Sequence, residues 1–182
     1  DSKTNTNIGK SPLFPKYETF ADFLSNTIIG KRKHTISEFF YRTQHIQQLG
    51  GYQIYPAGYY ADDASILLFC NNNGIASTEE SLIVYRKSEN NISSSSCWNV
   101  EKSKAALKYY QWIIDEFPMK QQDEQIIQQR LDFDLYTYFS AALNIHQSIQ
   151  ILNCIPVNIW NWKKKLLCLY KFILNSYAKQ IK

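Results

Sequence analysis

Beyond Trp98 the sequence is one helix-compatible stretch after another, and this change of character limits the folds open to the chain. Over 102–117, Ala105, Leu107, Tyr109, Trp112 and Ile113 keep helical spacing, and Pro118 closes the run. A long helix is expected over 121–144 and a shorter one over 146–154. The shorter one stops before Pro156, because a residue preceding proline avoids the helical region. A last helix is expected over about 158–179. No repeat of fixed period is present, which disfavours a solenoid.

The half before Trp98 is mixed in character. Residues 1–16 read as a loop or linker, and Tyr17, Phe20, Ala21, Leu24 and Ile28 then keep helical spacing up to a stop at Gly30. KRKH, 31–34, is expected to be a solvated turn, since basic residues rarely find burial partners. TISEFFYR, 35–42, is rich in β-branched and aromatic residues and is expected as a strand. Thr43 is expected to cap a short helix, which Gly50 and Gly51 leave through a left-handed exit. Pro56 and Gly58 break the loop GYQIYPAGYY, a helix follows over 63–73 with Gly74 as its stop, and 75–86 holds one or two short strands. KSENNISSSS is a polar loop.

An apolar fraction of 45% and an aromatic fraction of 15% are ample for a core, which excludes wholesale disorder. A net charge of +4 is far from the density of a dedicated nucleic-acid binder, so no nucleic-acid partner is expected. Cys70, Cys97, Cys154 and Cys168 form no C-x-x-C pair and read as reduced thiols of a cytoplasmic protein. With His34, His45 and His146 they make no zinc set, because the spacings are wrong. No segment approaches the ~20 uninterrupted apolar residues of a membrane span. The polar start DSKTNTNIGKSP lacks the apolar middle of a secretory signal and has no initiator methionine, so the chain is expected to begin partway through a longer protein.

The residues that carry candidate chemistry are Asp62 and Asp63, adjacent carboxylates between an aromatic loop and an apolar run. Acidic residues at a helix start accept orphan N–H groups and favour the positive end of the dipole, so capping is the bland account. Capping by Asp62 is compatible with catalysis by Asp63 from the first turn, provided that it reaches a substrate hydroxyl within ~3 Å. Tyr52, Tyr55, Tyr59 and Tyr60 flank the pair. Their rings suit the apolar face of a sugar, or the ordinary packing of an aromatic loop.

Gly50-Gly51-Tyr52, Asp62-Asp63, Tyr85-Arg86 and Asn91-Ile92-Ser93 occur in order, preceded by TISEFFYRTQHIQQLGG. Over about residues 1–100 this arrangement resembles the second half of bacterial family 2 glycosyltransferases, nucleotide-sugar-dependent enzymes of the GT-A fold. The resemblance implies an α-rich α/β protein. Residues 1–100 would be the acceptor-side half of a mixed-sheet domain, and 101–182 a helical extension. It implies an inverting transfer to a glycan or lipid-linked acceptor, in surface polysaccharide assembly. Asp63 would be the base with Asp62 orienting, Tyr55, Tyr59 and Tyr60 the acceptor platform, and Arg86 the group facing the donor diphosphate. Against the role of Arg86 stands an ordinary salt bridge. The family's donor half, with its Asp-x-Asp site for divalent Mg or Mn, has no counterpart here. The sequence Asp132-Phe133-Asp134 lies after the acceptor region on an expected exposed helix face, so it is read as unrelated to metal, and no metal is expected in this chain. The chain alone is accordingly expected to be inactive.

A non-catalytic interaction module, helical or peripheral to a membrane, is the rival reading. Over 158–182, Ile159, Trp160, Trp162, Leu166, Leu167, Leu169, Tyr170, Phe172, Ile173 and Tyr177 accompany Lys163, Lys164, Lys165, Lys171, Lys179 and Lys182. Such a helix suits the interface of an anionic membrane, which would hold the protein at the inner face. Its apolar positions also spread widely around the axis, which suits burial against neighbouring helices. A fragment of a fold exposes the surface its missing half covered, so homo-oligomerisation is a further expectation.

Overall fold

The computed structural model describes residues 14–32, 34–71, 73–78 and 95–180, with the backbone alone at 36 and 175–180. Tyr85, Arg86 and Asn91-Ile92-Ser93 lie outside the described residues. The chain divides into two compact units, Asp1–Asn91 and Ile92–Lys182.

In the first unit, β1 (Tyr17–Glu18) runs into α1 (Phe20–Ile28), α2 (Thr43–Gln48) and α3 (Ala61–Cys70) follow, and β2 (Ile75–Ala76) returns antiparallel to β1. Thr19 caps α1, its hydroxyl accepting from the Asp22 amide at 3.2 Å. Tyr17, expected in the helix, instead pairs with Ala76. The chain is α-rich, as expected. Of the expected α/β character, the described residues carry this two-residue ladder.

The strand expected over 35–42 is not formed. Ile36–Glu38 is a 3-10 turn with extended residues on either side. β-propensity measures fit to a pleated, half-buried surface, and here the aromatic residues find that surface without a partner strand. Phe39 and Tyr41 stack with centroids 6.1 Å apart, and Tyr41 meets Phe69 of α3 edge-on at 5.0 Å. Thr43 opens α2 rather than capping it: the cap position is Arg42, which makes no side-chain cap bond. Pro56–Gly58, expected to be irregular, is a tight turn whose central residue, Ala57, has non-helical φ/ψ.

In the second unit, α4 (Asn99–Glu116) and α5 (Gln121–Ser140) are joined by a short connection through Pro118, and α6 (Ile145–Cys154) and α7 (Trp162–Gln180) follow. Ala105, Tyr109 and Ile113 form the buried stripe of α4, and Ile127, Leu131, Leu135 and Phe139 that of α5, each at four-residue intervals. Asn99 is buried and donates from Nδ2 to the carbonyls of Tyr138 and Ala141 at 2.9 and 3.1 Å. One side chain thereby ties the start of α4 to the end of α5, where carbonyls lack helical partners. The long helix ends at Ser140, earlier than expected, because Asn144 caps α6 by accepting from the Gln147 amide at 2.9 Å. The last helix begins at Trp162 rather than near 158, leaving Trp160 fully buried ahead of it.

Candidate functional site

The acidic pair sits where the loop after the Gly-Gly turn meets α3. Gly50 and Gly51 take φ of +82° and +84°, and their amides bond back to the carbonyls of Gln47 and Ile46. The chain is then fastened to α3 through Ser65. The Gln53 amide donates to Ser65 Oγ at 2.8 Å, and Ser65 Oγ donates to the Ala61 carbonyl at 2.5 Å. His45 Nε2 donates to the Phe69 carbonyl at 2.8 Å and fixes α2 to the same helix.

Helix α3 starts earlier than the sequence implies, with Tyr60 as its cap residue in the left-handed region at φ +60°. Ala57, three residues earlier, also has positive φ, at +51°. Left-handed backbone in residues with a Cβ costs on the order of 1–3 kcal/mol and persists where the surroundings impose it. Both acidic residues therefore lie within the first turn. Asp62 is not the cap residue, although its Oδ1 accepts from the Asp63 amide at 3.1 Å.

The expected solvated turn at KRKH is the largest correction to the site. Arg32 is 7% exposed and pairs through Nη1 with Glu18 Oε2 at 2.5 Å. Asn26 Nδ2 donates to the other Glu18 oxygen at 3.3 Å. The guanidinium lies 3.7 Å from the Phe14 ring centroid and 5.1 Å from that of Phe23. Desolvation lowers the Arg32 pKa, and the Glu18 carboxylate opposes that shift.

The His34 ring also packs against Phe23, ring centroids 5.7 Å apart, with Phe39 edge-on to it at 5.3 Å. Its Nε2 is 2.9 Å from Asp63 Oδ1, with side-chain exposures of 4% and 31%. Neither His34 ring nitrogen has a hydrogen bond of acceptable geometry among the described residues. The 2.9 Å approach is therefore a close contact between ring and carboxylate rather than a hydrogen bond. A buried imidazole thus braces the inner side of a carboxylate that still reaches solvent.

Asp62 is half-buried and its pKa is raised, first by desolvation and then by Asp63, against which backbone N–H groups and His34 act. Tyr41 is also pushed upward, first by burial and then by neighbours that include Tyr52 and Asp62. Its hydroxyl has no hydrogen-bond partner among the described residues. Phe23, His34, Phe39, Tyr41, Phe69 and half-exposed Tyr52 form a continuous aromatic wall behind the acidic pair.

The sequence-predicted tyrosines divide by burial. Tyr55 is 6% exposed and belongs to the core, where burial pushes its pKa up to about 12. Tyr59 and Tyr60 are partly exposed and meet edge to face at 6.5 Å, beside the start of α3. Sequence reasoning missed His34, Arg32, Glu18 and Tyr41. A signal existed in Phe39 and Tyr41, alternate aromatic residues after a basic run that mark an extended segment against a core.

Asp132 and Asp134, expected on an exposed face, are both engaged. Asp132 takes Lys164 at 2.5 Å and accepts from the Trp160 indole, while Asp134 is 7% exposed and accepts from the Tyr110 hydroxyl at 2.6 Å. Residues two apart on a helix point to different sides, so the two carboxylates do not converge. Among the described residues no group of three or more His, Cys, Asp or Glu could hold a metal ion. All four cysteines are unpaired. Comparison with protein families, with curated proteins and with solved structures finds no match for this chain.

Proposed function

We propose that this chain forms the acceptor-side part of an inverting glycosyltransferase and that Asp63 is its general base. The observation that carries the reading is the His34–Asp63 contact: a partly exposed carboxylate on a rigid helix start, braced at 2.9 Å by a buried imidazole. The ordered Gly-Gly-Tyr, Asp-Asp and Tyr-Arg motifs support it from the sequence. In the transfer, Asp63 takes the proton of the acceptor hydroxyl as its oxygen bonds the anomeric carbon. The bond from that carbon to the diphosphate oxygen breaks, and its electron pair leaves with the diphosphate. A base is needed because a sugar hydroxyl is a poor nucleophile until its proton begins to move.

Tyr52, Tyr59 and Tyr60 offer exposed ring surface for the acceptor, whereas buried Tyr55 shapes the loop beneath them. Arg86 remains part of the proposal as the diphosphate partner. In this reading a donor-binding half would hold the nucleotide-sugar and the metal, and Asp63 acts on the acceptor alone.

The test is Asp63→Asn in this chain supplied with a donor-binding half, assayed for sugar transfer and nucleoside diphosphate release. Loss of general-base assistance lowers kcat by about 10²–10⁴-fold. Transfer at the unaltered rate would favour a non-catalytic interaction module, with the acidic pair serving the helix terminus alone.

A further inference from the structure

Helix α7 carries a surface unrelated to the acidic pair. One side of it is held inward. Cys168 is buried, the Phe172 ring meets Phe139 at 5.9 Å, and Lys164 and Lys165 reach Asp132 and the Ile155 carbonyl, each at 2.5 Å. The opposite side of a helix on a water-facing bundle should be polar. Instead, Trp162, Leu166, Tyr170 and Ile173 recur along one stripe and are 61%, 57%, 60% and 39% exposed, with Leu167 and Leu174 beside them. The charged groups among them are Lys163 and Lys171, both exposed, the Lys163 ammonium lying 5.7 Å from the Trp162 ring centroid. No acidic residue follows Asp134 anywhere in the sequence.

We propose that this face docks on an anionic phospholipid bilayer. Helix α7 lies in the headgroup plane, its Trp162–Leu166–Tyr170–Ile173 stripe inserted and Lys163 and Lys171 on the headgroup anions. Charge selects this occupant. A second copy of the same face would set lysines against lysines with no carboxylate to receive them. An uncharged surface would take the stripe and leave both ammonium groups without counter-charge. The aromatic residues suit the headgroup level, where an apolar body and a polar edge are both satisfied. Among the described residues no helix is long and apolar enough to cross a membrane, so the contact is in-plane.

The test is co-sedimentation of the full 182-residue chain with vesicles of phosphatidylcholine alone and of phosphatidylcholine with phosphatidylserine. The protein should pellet with the anionic vesicles and stay in solution with the neutral ones. Lys163→Gln and Lys171→Gln should each weaken pelleting about fivefold, and raised salt should do the same. Leu166→Ser with Tyr170→Ser should abolish it while leaving the circular dichroism melt unchanged, both residues being exposed. Pelleting with neither vesicle, equal pelleting with both, or an unaffected serine variant would overturn the proposal. A lipid-free dimer that the serine variant dissociates would also overturn it, and would assign the face to a second copy.

Discussion

Asp62 and Asp63 are neighbours in sequence but meet different surroundings. Asp63 faces an imidazole and keeps partial exposure, whereas Asp62 has its pKa raised, first by desolvation and then by Asp63. A carboxylate that ionises less readily when folded makes the folded state pay for its charge at every pH above its folded pKa. The unfolded chain, ionising near the ordinary value of 3.8, holds fewer protons in the window between the two values, so stability falls as pH rises through it. Below the ordinary value both states are protonated and the penalty vanishes. Asp62→Asn keeps an oxygen acceptor for the Asp63 amide and removes the charge. It should raise the melting temperature at about pH 7, with the gain disappearing near pH 3. Thermal melts of the two proteins across that range decide it, and a gain independent of pH would contradict the assignment of the penalty to charge. If Asp62 also orients the base, the same substitution trades activity for stability, as strained functional sites commonly do.

At the scale of elements, what the sequence made legible follows from periodicity and punctuation. Helices α4 to α7 were readable because apolar residues at four-residue intervals and the breaks at Pro118 and Pro156 are local signals. The segment 31–42 was not readable. Arg32 is buried because Glu18, fourteen positions earlier, is brought against it by β1, and His34 because α1 supplies Phe23. Neither partner is visible in any window around KRKH. The acidic pair was legible as a pair, but its brace was not.

The turn after α3 shows how tightly this arrangement is held. Gly74 has φ +66°, and a Cβ there would lie 2.3 Å from the Glu18 carbonyl oxygen and 2.8 Å from the Tyr17 hydroxyl. The nearer obstacle is backbone and cannot swing aside. Gly74→Ala should therefore cost more than the roughly 1–2 kcal/mol of left-handed strain alone, and it should part β1 from β2. Urea unfolding would measure the loss. Because Glu18 anchors Arg32, amide exchange should speed up at Tyr17 and Glu18. A stability change of a few tenths of a kcal/mol would mean that the ladder does not hold this corner.

For the whole molecule, the question is whether the second unit needs the first in order to fold. Its buried stripes face each other across α4 and α5, and Trp160 closes the core from the connection between α6 and α7. Its polar crosslinks are internal as well: Asn99 to the end of α5, Gln147 Nε2 to the Ser96 carbonyl at 2.9 Å, Asp132 to Lys164, and Tyr110 to Asp134. A helical unit of this size with its own core can fold alone, and small single domains usually melt in one step. Residues 92–182 expressed by themselves should be helical by circular dichroism and unfold cooperatively. Tyr110→Phe then serves as the internal check. It removes the 2.6 Å donor to buried Asp134 and should lower stability by about 1–3 kcal/mol, equally in the isolated unit and in the full chain. An isolated unit that melts without a transition, or a Tyr110→Phe cost confined to the full chain, would mean that the core of the second half is completed by residues of the first.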